Sequence, residues 1–366
     1  EWEEHTLSEY LEFKNGLNPD AKRIGSGLPF ISVMDILSEG VINYDNIRGK
    51  VNATEKEIEC FGVKDGDLLF QRSSETLEDV GRANVYMDNR TAIYGGFVIR
   101  GRKIGNYDPL FFKYLLATPL ARKRTCRMGA GAQHFNIGQE GLSKISLYFP
   151  SIEEQRKIAG FLSLIDERIA TQNKIIEDLK KLKSAIRKKI FSLLKDEYTK
   201  SFEINQLLDY EQPTAYIVAN DEYSTDTRLT PVLTANKGFI LGYTDEKNGI
   251  YQKGACIIFD DFTMDAKYVS FPFKVKSSAI KILTAKPNVN LRFMFEYLSH
   301  WELKSEEHKR HYISEISPLV IELPSKEKQN IIALLMTSLN NKLTIEEKAK
   351  IRYEVQKGYL LSQMFI

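Results

Sequence analysis

The stretch "ARKRTCRMGAGAQHFNIG", Ala121–Gly138, sets four cations, Arg122, Lys123, Arg124 and Arg127, just ahead of a glycine loop carrying Gln133, His134 and Asn136. Guanidinium and ammonium groups neutralise phosphates, and side-chain amides pair two-pronged with adenine edges. A second stretch, "LFQRSSETLEDVGRANV", Leu69–Val85, brings Arg72 and Arg82 to another loop region. Further on, similar chemistry falls on Lys237 in "TANKG", on Asp261, Thr263, Lys267 and Tyr268 in "DDFTMDAKY", and on Lys309, Arg310, His311 and Tyr312. An aspartate in such a place accepts from cytosine N4. Together these residues predict a surface that binds nucleic acid. For any one of them the competing reading is a solvated surface charge.

Catalytic constellations are missing from the pattern. There is no GxxxxGK[ST] phosphate loop, no GxGxxG after a strand, and no Asn/Asp-Pro-Pro-aromatic motif of an amino-methyltransferase. The histidines are His5, His134, His300, His308 and His311; His308 and His311 lie three apart but lack a third ligand. "DAK" at Asp20–Lys22 and Asp265–Lys267 matches half of a nuclease motif, a tripeptide too common to carry a site. Cys60, Cys126 and Cys256 are scattered, which predicts neither a disulfide framework nor a zinc site and suits a reducing cytoplasm. No apolar run is long enough to span a bilayer and no signal-peptide pattern is present. The chain opens "EWEEHTLSEY" without methionine, and a short leader is expected to be missing from it.

The elements that must position these residues show themselves first through charge. Net charge over 366 residues is only +2. By segment it is −1 for 1–150, +4 for 151–200, −4 for 201–324 and +3 for 325–366. The excess positive charge therefore sits on two segments that read as helices, and binding by the remainder must rest on local clusters. The first helix starts at "PSIEEQRKIAGFLSLIDERI", Pro150–Ile169, where Ser151 and Glu154 form a capping box. A 4-3 stripe follows through Ile158, Leu162, Ile165, Ile169, Gln172, Ile176, Leu179, Lys183, Ile186, Ile190 and Leu193. That is coiled-coil spacing, and some 45 residues at about 1.5 Å each make a rod of roughly 65–70 Å. A copy follows 174 residues later in "PSKEKQNIIALLMTSLNNKL", with a stripe through Ile332, Met336, Leu339, Leu343, Glu346, Lys350, Tyr353, Lys357, Leu360 and Met364. The matched register predicts that the two helices pack on each other. The competing reading has each as a surface helix on its own domain. "KKLKSAIRKK", Lys180–Lys189, adds six basic residues and no acid, a solvated flank or an attractor of DNA or acidic partners.

The segments before each helix echo each other too. "KDGDLLFQR" resembles "QKGACIIFDD", and "DPLFFKYLLAT" resembles "NLRFMFEYLSH". "QHFNIGQEGLSKISLYFP" resembles "RHYISEISPLVIELP", with His134-Phe135 set against His311-Tyr312. The order is module, helix, module, helix. Each module mixes short strands with few helices, and a closed or strongly bent small sheet is expected. The modules share a scaffold and differ in their loops, as two recognition units with different targets should.

"GDLLFQRS" (Gly66–Ser73), "ISLYFPSIEEQRKIAGFLSLIDERI" (Ile145–Ile169), its copy from Leu319, and "YEQPTAYIV…PVLTANKGFILGYT" resemble the specificity (S, or HsdS) subunit of bacterial Type I restriction–modification enzymes. The resemblance covers essentially the whole chain. Copy two departs from it by losing the second Glu, the Gly and the Asp-Glu pair, which bears on the relative strength of the two helix ends. The resemblance implies an α+β fold: two globular target recognition domains held apart by two long antiparallel coiled-coil helices, with pseudo-twofold internal repetition. It implies domains at 1–150 and 200–324, a central spacer helix at 151–199 and a C-terminal one at 325–366. Ile158, Leu162, Ile165, Ile169, Ile176 and Leu179 of one helix and Ile332, Met336, Leu339 and Leu343 of the other would then line the seam. Each domain would read one half of a split site in double-stranded DNA, in a bacterial cytoplasm. The chain itself would be non-catalytic. Two modification subunits would supply S-adenosylmethionine and adenine methylation, and restriction subunits would supply ATP- and Mg-dependent cleavage. The alternative is a coiled-coil adaptor that binds other proteins.

Overall fold

A computed structural model describes residues 2–194, 200–234, 238–301 and 311–365. The chain forms two compact units, Glu1–Lys174 with Lys348–Ile366, and Ile175–Glu347. The break falls inside the helices, so each unit holds one module and a length of both helices. Each helix length is buried against its own module.

In the first unit a four-stranded antiparallel sheet runs in the order Leu11–Asn15, Val98–Lys103, Leu68–Gln71, Ala83–Val85. The strand "LLFQ" is buried throughout and divides two cores. Leu68 and Phe70 join the aromatic helix Pro109–Ala117, while Leu69 faces Ile31, Tyr86 and Tyr94. This alternation is what period-two strand geometry dictates. Gly66 turns the chain into this strand at φ +82°, where a Cβ would press within 3.1 Å of Pro109. A three-stranded sheet sets Ile24–Ile31 antiparallel to Gly49–Val51 and parallel to Ile93–Tyr94. A third, two-stranded sheet pairs Glu3–Thr6 with Ser146–Phe149.

The second unit repeats this topology. Its four-stranded sheet runs Leu208–Glu211, Ile280–Ala285, Cys256–Asp260, Ala266–Val269. Thr230–Leu233 lies antiparallel to Ile240–Thr244 and parallel to Lys274–Val275. Lys200–Glu203 pairs with Val320–Leu323. Neither module closes into one sheet, the first of the two alternatives expected from sequence. The first spreads its strands over four small sheets, the fourth pairing Ser73–Ser74 with Phe135–Asn136, and the second over three. In the first, Gly25 and Gly27 at φ +110° and +97° shift the register between Ile24 and Leu28 and end the ladder.

The central helix spans Ile152–Leu194 and the terminal helix Lys326–Gln363. Within the first unit they run antiparallel: Asp166 pairs with Lys357, and Arg168 lies over the Tyr353 ring at 5.9 Å. Ile158, Leu162, Ile165 and Ile169 are buried there, with Leu360 and Met364 against the same core. Within the second unit Ile186, Ile190, Phe191 and Leu194 share a core with Ile332, Ala333, Met336 and Leu339. Lys180 pairs with Glu347 at 3.2 Å. Ile176 is buried, and Leu179 and Leu343 are half-buried. Leu193 departs from the expected stripe: it is exposed, and Phe191 and Leu194 turn inward instead. Among the described residues no helix is long and apolar enough to cross a membrane.

Candidate nucleic-acid interface

The end of the strand Leu68–Gln71 organises the loops of the first module. Arg72 donates its backbone N–H to Phe97 O at 2.9 Å, and its carbonyl accepts from Ile137 N at 3.0 Å. Its guanidinium donates to Gly96 O at 3.3 Å. Ser73–Ser74 then pairs antiparallel with Phe135–Asn136, and the Ser73 hydroxyl donates to the Asn136 amide oxygen. Ala130 and Asn136 exchange two backbone bonds of 2.9 Å, closing the glycine loop. Gly131 sits at φ +146°, where a Cβ would lie 2.0 Å from His134 O, so only glycine permits the turn. Gln133 and His134 stand exposed at its tip. Asn136 is exposed, but its side chain is engaged in holding the loop.

The cation cluster divides by role. Arg122 Nη2 donates to Glu78 O at 2.8 Å and Val80 O at 2.7 Å, and burial lowers its pKa. Arg124 is tied to Glu4 at 2.9 Å and to Ser146. Arg82 pairs with Asp79 at 2.6 Å. Lys123 and Arg127 are exposed and make no ion pair among the described residues. Those two, with Gln133 and His134, are the members of the predicted set that face solvent with their polar ends unengaged. Arg122 and Arg124 are half-buried and brace the short helix Pro119–Cys126 against its surroundings.

In the second module burial takes three expected residues out of solvent. The Asp261 carboxylate is 1% exposed, accepts from His311 N at 3.2 Å and Tyr312 N at 2.8 Å, and pairs with Lys281 at 3.3 Å. Buried and engaged on both oxygens, it is not presented to a cytosine. Tyr312 is buried against Phe259 and Tyr210. His311 is buried, with Nδ1 2.8 Å from Glu315. The cause lies in the register. His311 N donates to Asp261 O at 3.0 Å, as Ile137 N donates to Arg72 O. His311 thus occupies the place of the buried Ile137, three residues away from where the His-aromatic likeness put it. Tyr268 packs under Arg292, whose guanidinium lies 4.7 Å from its ring, and Lys267 is half-buried. Thr263 is exposed. Lys237, Lys309 and Arg310 lie outside the described residues.

Two positioning residues were matched in the sequence without a role. Gln155 is buried, accepts from Asp108 N at 3.0 Å and donates to Pro150 O at 3.0 Å. Gln329 does the same with Asn290 N at 2.9 Å and Pro324 O at 2.9 Å. The signal was their identical place after Pro-Ser in both copies. Glu154, expected to reach back in a capping box, accepts instead from the Trp2 indole at 3.3 Å, while Ser151 Oγ caps Glu154 N. Among the described residues no group of His, Cys, Asp and Glu is arranged to hold a metal ion.

Comparison with known proteins adds the following. The family model described as "Type I restriction modification DNA specificity domain" matches residues 1–181 and again 196–355. The Escherichia coli "Type I restriction enzyme EcoR124I/EcoR124II specificity subunit" is 39% identical over 178 residues, 43% of each chain. The "Putative type I restriction enzyme MjaX specificity subunit" of Methanocaldococcus jannaschii is 23% identical across 99% of this chain and 92% of its own. The crystal structure of the Type I restriction–modification S subunit from M. genitalium aligns over 100% of this chain and 96% of its own. Its TM-score is 0.67 at 15% identity, a likeness of fold.

Proposed function

Because the chain belongs to the Type I restriction modification DNA specificity domain family, we propose that it is the DNA-reading specificity subunit of such an enzyme. Each module reads one half of a bipartite site in double-stranded DNA. The paired helices set the distance between the halves, and successive major-groove faces about 34 Å apart suit a rod of this kind. The observation that carries the reading is the duplication itself. Sheet order, parallel strand pair and glutamine joint are the same in both modules, while the loops at the strand ends differ. A repeated scaffold with unlike loops is what two readers of unlike sequences require.

On this reading the chain carries no catalysis. Two modification subunits bind S-adenosylmethionine and methylate adenine, and restriction subunits add ATP- and Mg-dependent cleavage. Lys123, Arg127, Gln133 and His134 approach the DNA of the first half-site, and Thr263 that of the second. Exchanging residues 1–150 for the first module of another specificity subunit tests this. Methylome sequencing of cells carrying the hybrid should show one half of the site changed and the other kept. A change in both halves, or in neither, would sink the two-reader model.

A further inference from the structure

The two modules carry a cleft at the same place, just past the ends of their parallel strand pairs. In the first, Phe30 and Ile31 lie beside Ile93 and Tyr94; in the second, Val232 and Leu233 lie beside Lys274 and Val275. Gly95 N donates to Ile31 O at 3.0 Å, and Lys276 N to Leu233 O at 3.0 Å. Arg72 N donates to Phe97 O and Asp261 N to Ala279 O, both at 2.9 Å. These matched bonds make the clefts equivalent, and their volumes are alike at about 410 and 400 Å³. Their linings are not. The first is walled by Ile24, Phe30, Met34 and Phe97 over Gly95 and Gly96, with no charged side chain. The second adds Lys276, Ser277, Thr234 and Thr263, with Asp260 behind, to an apolar wall of Leu241, Phe262 and Ile280.

The first cleft is poorly hidden for so apolar a place. Met34 is 72% exposed and Phe97 68%. Exposed apolar patches of this kind mark contact surfaces. The patch is continuous with the loops already described, since Arg72 fixes both Phe97 and the glycine loop. The lining also limits the occupant. A phosphate finds no cation there. Among the major-groove edges of the four bases, thymine alone offers an apolar group, its C5 methyl. At the rim stands the exposed Asn18, packed so close to Gly96 that a Cβ there would sit 1.8 Å from its amide oxygen. An asparagine amide matches adenine N6 and N7. One wall for a methyl and one amide for adenine together describe an A·T pair.

We infer that this cleft reads an A·T base pair in the half-site of the first module, with Phe97 against the thymine methyl and Asn18 on the adenine edge. The inference rests on the DNA-reading function proposed above. The equivalent position in the second module, with Lys276 in place of Gly95 and Ala279 in place of Phe97, sets a cation and hydroxyls beside its apolar wall. Its half-site is therefore read by different chemistry.

The test uses the complex of this chain with its methyltransferase subunits, and a duplex pool randomised over each half-site in turn. The module exchange assigns which half belongs to the first module. For the native chain, that half should contain an A·T pair besides the methylated adenine. Phe97→Ala should cut discrimination at that one pair by about tenfold, leave the other half as it was, and be largely restored in Phe97→Leu. Because Phe97 is exposed, the variant keeps the core intact. A first half-site with no fixed A·T pair besides the methylated adenine overturns the inference. So does a Phe97→Ala pattern identical to the native one, or a loss spread evenly over all sequences. A native complex with no bipartite preference would sink the DNA-reading function itself; a bipartite native site unaltered by Phe97→Ala sinks only this cleft.

Discussion

The joints between module and helices show how the two halves of the molecule differ. In both, a buried glutamine spans the same two backbone groups, with bond lengths that agree within 0.1 Å. Farther along the helices the likeness stops. In the first unit Tyr114 of the module helix donates to Asp166 of the central helix at 2.8 Å, and Lys357 of the terminal helix pairs with that carboxylate. In the second unit the corresponding module position is Glu296. It pairs with Arg187 at 2.7 Å and Arg292 at 3.4 Å, and Asn340 donates to it at 3.3 Å. Asp166 and Asn340 are 174 residues apart, as are Lys183 and Lys357. The carboxylate has moved from rod to module while the joint kept its geometry. Contacts to backbone are fixed by the fold; a charge pair is free to migrate so long as a partner is present.

The move has an energetic consequence. Glu296 is fully buried, whereas Asp166 and Lys357 are each about a quarter exposed. Removing a partner from a buried charge leaves that charge uncompensated, at about 3–5 kcal/mol. Removing one from a part-exposed pair costs about 1 kcal/mol or less. Arg187→Met should therefore destabilise the protein by about 3 kcal/mol, the low end because Arg292 and Asn340 remain. Lys357→Met should cost far less. Urea denaturation of the two variants decides the matter, and equal losses would erase the distinction between the joints. Replacing Glu296 by Leu in the Arg187→Met background should recover only part of the loss, since the buried carboxylate is gone but Arg292 loses that partner.

The glutamine joints predict the opposite pattern, equality. Gln155→Ala strands the Asp108 N–H and the Pro150 carbonyl; Gln329→Ala strands those of Asn290 and Pro324. An unsatisfied buried backbone group costs about 1–3 kcal/mol. Both variants should fall in that range and match each other within error. A large difference would mean that one joint carries load and the other merely resembles it.

Much of this was legible from the residues. The duplicated order and the helix starts followed from "PSIEEQ" and "PSKEKQ". The stripe Ile158, Leu162, Ile165, Ile169 is buried because a 4-3 repeat keeps one face turned to its partner. The loops were less legible. His134-Phe135 and His311-Tyr312 look alike as dipeptides, yet the backbone bond of His311 sets it against Ile137. Nothing in one-dimensional spacing separates a buried histidine from an exposed one three residues off. In the same way "ARKR" reads as one basic cluster. Only the fold reveals that Arg122 and Arg124 point back to carbonyls and Glu4 while Lys123 points out. Phe97 was overlooked because an aromatic before a strand ordinarily belongs to the core.

The smallest expected effects fall within that cluster and divide its members. Arg127 is exposed with no ion pair among the described residues, so Arg127→Ala should leave the folded state unchanged within about 0.5 kcal/mol. If it meets a phosphate, DNA affinity should weaken alike for cognate and altered sequences, and the slope of log affinity against log salt should fall by about one. Arg124→Ala should do the reverse. It releases Ser146, whose strand pairs with Glu3–Thr6, and frees Glu4, costing about 1 kcal/mol of stability. The salt slope should not move, because Arg124 is already committed to protein acceptors. Fluorescence anisotropy across a salt series, read beside the denaturation midpoints, distinguishes the two. A reduced slope in Arg124→Ala, with stability intact, would return that residue to the DNA face and break the division between bracing and reading cations.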